Sequence, residues 1–97
     1  MTGIGEASAS RQPAVFREFS TIKVGDTATL TRTIEERDVR AFANLSGDFN
    51  PLHIQQEFAK RTSYQRPVVH GLLIGSYVST LVGMHLPGPG GLWTEQS

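Results

Sequence analysis

The chain of 97 residues contains no cysteine, which excludes disulfide frameworks and thiolate metal sites. The absence of cysteine is compatible with a reducing compartment, and we expect a cytoplasmic location. Acidic and basic residues balance at nine each, and no cluster of lysine and arginine is long enough to follow a phosphate backbone. The composition therefore predicts a globular protein that does not bind nucleic acid.

Residues 1–14 lack an apolar run and are rich in glycine, serine and alanine. Because they have no hydrophobic core of the kind found in a secretory signal, they are predicted to be a flexible leader. Residues 15–97 are predicted to form one domain. A chain of about 80 residues is near the size at which a single core becomes marginal, so a partner chain or a further segment is expected to complete it.

Residues 68–86 contain no charged residue and are apolar on nearly every side. This pattern predicts one long helix that is buried all round or lies in a membrane. The length just suffices for a bilayer, but no aromatic belt or basic flank anchors it. Small residues also give it a face that another backbone could approach: Gly71, Gly75, Ser76, Ser79 and Gly83. A central helix enclosed by a curled sheet is the favoured interpretation, and a membrane span is the alternative.

Strand signals come from two other places. Residues 27–34 are rich in β-branched side chains, with threonines on one face and Leu30, Arg32 and Ile34 on the other, which predicts a strand. Leu92-Trp93-Thr94 is interpreted as the start of a second strand. One strand and the start of another are too little to cover a buried helix.

From Glu35 the pattern becomes helical, with apolar or small residues at Val39, Phe42, Ala43 and Ser46. Gly47 is placed to end this helix in a left-handed cap. Since proline cannot continue a helix interior, residues 48–52 are predicted to be a loop. A second, short helix is predicted over residues 54–61.

The loop between these helices carries a possible acid/base pair, Asp48 and His53. Each residue has a simpler interpretation. Asp48 could be a turn residue that bonds nearby amides, and His53 could be a satisfied, partly exposed histidine. Turn formation gives no reason for a histidine at this spacing, so the pair favours chemistry.

Three segments together resemble the MaoC-like dehydratases and, within them, the (R)-specific enoyl-CoA hydratases: Phe42-Ala-Asn-Leu-Ser-Gly-Asp-Phe-Asn-Pro-Leu-His53 with Ala59, Arg66-Pro-Val-Val-His-Gly71, and His85-Leu-Pro-Gly-Pro-Gly90. The resemblance extends from about residue 27 to residue 96. It implies an α+β hot-dog fold, in which an antiparallel sheet wraps a long central helix, working as a dimer. Family members continue past the position of Ser97 with several strands, so the sequence is interpreted as the N-terminal part of this fold, truncated after the start of the second strand.

The resemblance implies hydration of a trans-2-enoyl thioester of CoA or of an acyl carrier protein, or the reverse dehydration, without a cofactor. Asp48 would orient and deprotonate a water that His53 shares as the proton-transfer partner. The Gly71 N–H at the start of the long helix would stabilise the thioester oxygen. Asn50 would steady the loop, and Ser79 matches the family position that supports the catalytic aspartate.

The loop and the remaining histidines offer other possible roles. A metal site built from Asp48, Asn50 and His53, perhaps with His70, is not expected, because there is no helix-phased histidine pair and no second carboxylate. His70 is expected to bond backbone near the helix start. His85 is expected at the helix C-terminus, either complementing the dipole or exposed.

Two alternative functions remain open. The chain could be a truncated or half-domain hot-dog protein that is inactive alone, and that binds an acyl thioester or complements a partner subunit; self-association into a homo-oligomer is a variant of this idea. A hot-dog thioesterase could use the same oxyanion helix for hydrolysis, although the Gly-Asp-x-Asn-Pro-x-His order favours the hydratase.

Overall fold

The computed structural model describes residues 13–97. Residues 30–79 form one compact unit, and residues 13–29 together with 80–97 form a second. The predicted leader, residues 1–14, lies outside the described residues except for its last two positions. Within the described part, no helix is long and apolar enough to cross a membrane.

The α-helical segments of the described residues are α1 (Glu36–Ser46), α2 (Pro51–Ile54), α3 (Gln56–Ala59) and α4 (Gly71–Thr80). A short 3₁₀ turn spans Phe19–Thr21, and a π-helical turn, Leu81–His85, follows α4 directly.

Helix α1 begins and ends where the sequence indicates. The Glu35 N–H donates to the Asp38 carboxylate over 2.8 Å, which satisfies one of the free amides at the helix start. At the other end Gly47 adopts φ 80°, and its N–H donates to the Ala43 carbonyl. Val39 and Ala43 form its buried face. The predicted helix and its left-handed cap are confirmed.

The predicted second helix over residues 54–61 is wrong in its bounds. Two single turns replace it, because Gln55 is extended at φ −115° and ψ 109°. The predicted loop, residues 48–52, is also too long, since α2 already begins at Pro51. Proline lacks the N–H that the first helical position leaves unpaired, and Asn50 caps the turn by accepting the Leu52 N–H over 3.1 Å.

The long helix predicted over residues 68–86 starts later and is less enclosed. Val68 is not helical, because its N–H donates to the Leu52 carbonyl and its own carbonyl bonds the His53 ring. The regular helix lasts to Thr80. The Leu86 N–H then donates to the Leu81 carbonyl, five residues back, which is the bond of a π-helical turn. Its apolar side chains are not all covered: Leu73 is buried, whereas Leu72, Ile74 and Val78 are exposed.

The predicted strands are absent from the described residues, so the sheet of the α+β prediction is not present in this structure. Residues 27–34 and 92–94 have no regular secondary structure. A strand needs a neighbouring strand to pair its N–H and C=O groups. The expected two faces of the first segment are nevertheless confirmed, since the threonines are exposed and the alternate residues are half-buried: Ala28, Leu30, Arg32 and Ile34.

Candidate active site

The loop after α1 is built by side chains that bond their own neighbours. The Asp48 N–H donates to the Ser46 hydroxyl over 3.1 Å. One carboxylate oxygen of Asp48, Oδ1, accepts the Asn50 N–H at the same distance. Asp48 therefore is a turn residue, as its simpler interpretation required, but this role uses only one of its two oxygens.

His53 lies in α2, and a hydrogen bond to a distant backbone group holds its ring. Its Nδ1 lies 2.6 Å from the Val68 carbonyl oxygen, 15 residues along the chain. A carbonyl only accepts, so Nδ1 must carry the hydrogen. In the neutral ring Nε2 is then the unprotonated nitrogen, with its lone pair available.

The two free atoms of this pair face each other. The second Asp48 oxygen, Oδ2, lies 4.0 Å from His53 Nε2, which is too far for a direct hydrogen bond. A water about 2.8 Å from both atoms would have an angle of about 90° between its two hydrogen bonds, close to the natural angle of water. The Asp48 side chain is half exposed and that of His53 is 13% exposed, so solvent can reach the gap.

His70 contacts both members of the pair. Its Nε2 lies 3.0 Å from the Asp48 backbone carbonyl, 22 residues earlier, and its ring stacks on His53 with centroids 4.0 Å apart. The residue is 2% exposed, and Phe42 of α1 packs against its ring. The prediction that His70 bonds backbone is confirmed, but the backbone group belongs to the Asp48 loop and not to the helix start. In the sequence, His70 matches the segment that resembles the family and is interpreted as a structural support, but nothing there indicates its contact with His53.

Gly71 follows His70 and begins α4, so the helix N-terminus adjoins the pair. Its N–H donates no hydrogen bond within the described residues, and open space surrounds the position that a side chain would take. Ser79 lies two turns further along α4 and is exposed. No hydrogen bond joins its hydroxyl to Asp48 within the described part of the chain, so its supporting role stays a prediction.

His85 lies at the helix C-terminus as predicted, but the exposed alternative is wrong, and the complementing of the dipole stays a prediction. It is 6% exposed within the π-helical turn, and its backbone carbonyl accepts a hydrogen bond from Arg17 Nε over 2.8 Å. The helix end is therefore satisfied by an arginine from an earlier segment of the same unit, and the His85 ring is buried.

The donor atoms of Asp48, His53 and His70 lie within 4.8 Å of one another, close enough to consider a metal ion. The two imidazoles, however, are stacked with only 29° between their planes. Lone pairs in nearly parallel planes do not converge on one ion about 2.0–2.1 Å from each nitrogen. Each ring also uses one nitrogen to bond a carbonyl. This arrangement is poorly suited to a metal ion, and the expectation of no metal stays a prediction.

A cavity of about 300 Å³ adjoins the His53 ring. Its walls are polar and apolar in nearly equal parts, with charged groups contributed by the start of α1; they comprise Ile34, Glu35, Glu36, Val39, Arg40, His53, Ile54, Gln56, Pro67, Val68 and Val69. Asp48 does not line it, and His53 is the member of the pair that borders the cavity.

Comparison with known proteins decides the family. The model of the MaoC like domain matches residues 19–91. The chain belongs to this family. This MaoC-like chain is 46% identical over 76 residues to an (R)-specific enoyl-CoA hydratase of Aeromonas caviae, covering 78% of the chain and 57% of the relative. It is 38% identical over 88 residues to the enzyme of the same name from Rhodospirillum rubrum, covering 91% and 61%.

A solved structure, the (R)-hydratase from A. caviae involved in PHA biosynthesis, matches the MaoC-like chain with a TM-score of 0.77 at 45% identity. The match covers 79% of the chain and 58% of that protein. The chain thus shares the fold of the corresponding part of an (R)-hydratase, and it spans about three fifths of the length of these relatives. The predicted family is confirmed.

Proposed function

We propose that the MaoC-like chain catalyses (R)-specific hydration of a trans-2-enoyl thioester to a 3-hydroxyacyl thioester, or the reverse dehydration. The observation that carries the proposal is the 4.0 Å separation of Asp48 Oδ2 and His53 Nε2, each a hydrogen-bond acceptor. Two acceptors at this distance suit one water that donates to both. The names of the relatives, which include (R)-specific enoyl-CoA hydratases and a 3-hydroxybutyryl-CoA dehydratase, support the reaction class.

The pair divides the proton transfer between two groups. Asp48 orients the water and removes one of its protons as the water oxygen bonds the β-carbon. His53 shares the water through Nε2 and acts as the transfer partner. The proton removed from the water is delivered to the α-carbon, the other hydrogen stays on the new 3-hydroxyl, and both side chains return to their starting protonation states. The hydrogen bond from His53 Nδ1 to Val68 fixes the tautomer that leaves Nε2 able to accept.

Gly71 supplies the electrostatic part of the proposal. Negative charge builds on the thioester oxygen during hydration, and a free N–H at a helix N-terminus is well suited to stabilise it. The Gly71 N–H is free within the described residues, and the absence of a side chain leaves room for a thioester to approach. Asn50 supports the site by capping α2, and Ser79 is assigned the supporting role described above.

The rest of the proposal concerns the whole molecule. The substrate is carried on CoA or on an acyl carrier protein, no cofactor takes part, and the protein works in the cytoplasm. The complete fold is an α+β hot-dog in which sheet covers the exposed face of α4.

The decisive experiment follows the loss of enoyl absorbance with crotonyl-CoA. Asp48→Asn keeps an oxygen that can accept the Asn50 N–H, and His53→Asn keeps an amide that can donate to Val68, so both preserve the local bonds. Each variant is expected to lower kcat/KM by about 10²–10⁴-fold, the usual contribution of a general acid or base. Asp26→Asn is the matched control, because Asp26 also accepts a backbone N–H, from Lys23, but has no histidine beside it.

Activity of a folded wild-type chain no higher than that of the two variants would contradict the proposal. Product analysis adds a second check. A 3-hydroxyacyl-CoA is expected, and release of free CoA would indicate a thioesterase instead.

A second candidate is a half-domain protein that is inactive alone and that binds an acyl thioester or complements a partner hot-dog subunit, including another copy of itself. The exposed apolar residues of α4 favour it: Leu72 is 79% exposed, Ile74 54% and Val78 46%. Light scattering combined with hydrogen exchange tests this candidate. It predicts an oligomer, or weak amide protection in α4, and a monomer with well-protected α4 amides would contradict it.

A further inference from the structure

We propose that His70 is a positioning residue for the Asp48–His53 pair, holding the loop with one ring nitrogen and the His53 imidazole with its face. The inference rests on the proposed function, because it assigns to His70 the task of keeping the two reacting groups at their working separation.

The first contact ties the loop to the rest of its unit. The His70 Nε2–H donates to the Asp48 carbonyl over 3.0 Å, across 22 residues of sequence. Every other hydrogen bond of residues 47–50 within the described chain joins partners no more than four residues apart. Local bonds of this kind shape a loop but do not place it relative to another segment, so the His70 bond determines where Asp48 lies with respect to α4.

The second contact fixes the plane of the catalytic imidazole. The bond from Nδ1 to Val68 holds one point of the His53 ring and leaves rotation about that point possible. Stacking on His70 at 4.0 Å between centroids removes this freedom. The Phe42 ring packs against the His70 ring, with centroids 4.9 Å apart, so the His70 ring is itself held by α1. With both restraints, Nε2 stays directed at Asp48.

His70 has no evident part in the proton transfer itself. Because Nε2 carries the hydrogen that bonds the carbonyl, Nδ1 is the bare nitrogen of the neutral ring. Nδ1 is buried and has no hydrogen-bond partner within the described residues. It has no contact through which to exchange a proton with the water at the pair, so the contribution of His70 is geometric.

Two substitutions separate the contacts. His70→Phe keeps an aromatic face for His53 but removes the donor to Asp48, whereas His70→Gln places an amide N–H near the position of Nε2 but removes the ring. Each is expected to lower kcat, by up to about 10²-fold, with KM within about twofold, since displacement of about 1 Å can cost that much. His70→Ala loses both contacts and should be slowest. His85→Gln is the matched control for loss of a buried histidine outside the site, and its kcat should be unchanged.

A nitrogen-15 NMR spectrum of the histidine-labelled chain tests the geometry without requiring activity. The wild-type chain should show His70 as the Nε2–H tautomer and His53 as the Nδ1–H tautomer, and His70→Phe or His70→Ala should shift the His53 Nε2 signal. Suppose that the wild-type chain has no hydratase activity, but has these tautomers, and that the variants show the shift. The proposed function then fails and the role of His70 stands. Unchanged His53 signals in both variants, or a kcat per folded molecule equal to wild type, would overturn the inference.

Discussion

The Asp48 loop and helix α4 belong to the same compact unit, but they are stabilised in opposite ways. Residues 47–50 are bonded almost entirely to near neighbours, and the loop lies between a capped helix end and a capped helix start. Helix α4 buries Leu73, yet Leu72, beside it in the sequence, is 79% exposed. One region is specified by its own residues, and the other presents apolar surface that nothing in the described chain covers.

This difference separates the parts of the site that the described residues build from those that they leave exposed. The spacing of Asp48 and His53 follows from turns, caps and the long-range contacts of His53 with Val68 and of His70 with Asp48 and His53, all within residues 30–79. On α4, by contrast, Leu72, Ile74 and Val78 are left exposed by residues 13–97. The following predictions test this contrast in order of decreasing effect.

The largest expected effect comes from the buried side of α4. Leu73 is 6% exposed, and Leu73→Ala should lower the free energy of unfolding by about 2–5 kcal/mol because it leaves a cavity. Leu72→Ala removes the same atoms from an exposed position and should change stability by no more than about 0.5 kcal/mol. Urea denaturation measures both. Equal losses would mean that the two faces of α4 are equally covered in solution.

The same substitution at two glycines should have opposite signs. Gly47 has φ 80° with open space around it, so Gly47→Ala costs only backbone strain, about 1–2 kcal/mol. Gly75 lies inside α4, where an added methyl group would be 3.9 Å from Leu72, an ordinary contact. Gly75→Ala should stabilise by about 0.5–1 kcal/mol through helix propensity. Thermal unfolding midpoints decide, and a shift in the same direction for both variants would contradict the contrast.

Removal of the cap at the start of α2 should have a slightly smaller effect. Asn50→Ala deletes the acceptor of the Leu52 N–H and is expected to cost about 1 kcal/mol. Asn50→Asp keeps an oxygen acceptor and serves as the control. Chemical denaturation should place the stability of Asn50→Asp close to that of wild type. If Asn50→Ala were as stable as wild type, the cap would not be needed.

The smallest effect is expected on the exposed side of α4. Replacing Ile74 and Val78 together by glutamine should change unfolding free energy by no more than about 0.5 kcal/mol per site, because both side chains are already exposed. Light scattering should show less self-association than in wild type. A loss of several kcal/mol would indicate that these residues are buried in solution.

Short-range chemistry explains what could be predicted from the sequence. The acidic start of α1 and its glycine end depend on groups within four residues of each other, so the helix was predicted correctly. The turn opened by Pro51 depends on equally local signals, asparagine at the cap followed by proline. Proline in a helix interior breaks the helix and so predicts a loop here, whereas proline at the first helical position favours the turn that is observed.

The rest could not be predicted because it depends on distant partners. The alternation in residues 27–34 is encoded and is visible in the burial pattern, but a strand forms only when another strand pairs with it. The start of α4 is delayed because Val68 bonds α2. The stacking of His70 on His53 joins residues that no spacing rule connects.

The central claim, that Asp48 and His53 hold one water between them, is tested most directly by crotonyl-CoA hydration in the double variant Asp48→Asn with His53→Asn. If the two groups act as a unit, the double variant should be no slower than the slower single variant, within about twofold. Rate losses that multiply in the double variant would show that the two residues act independently, and would contradict the shared water.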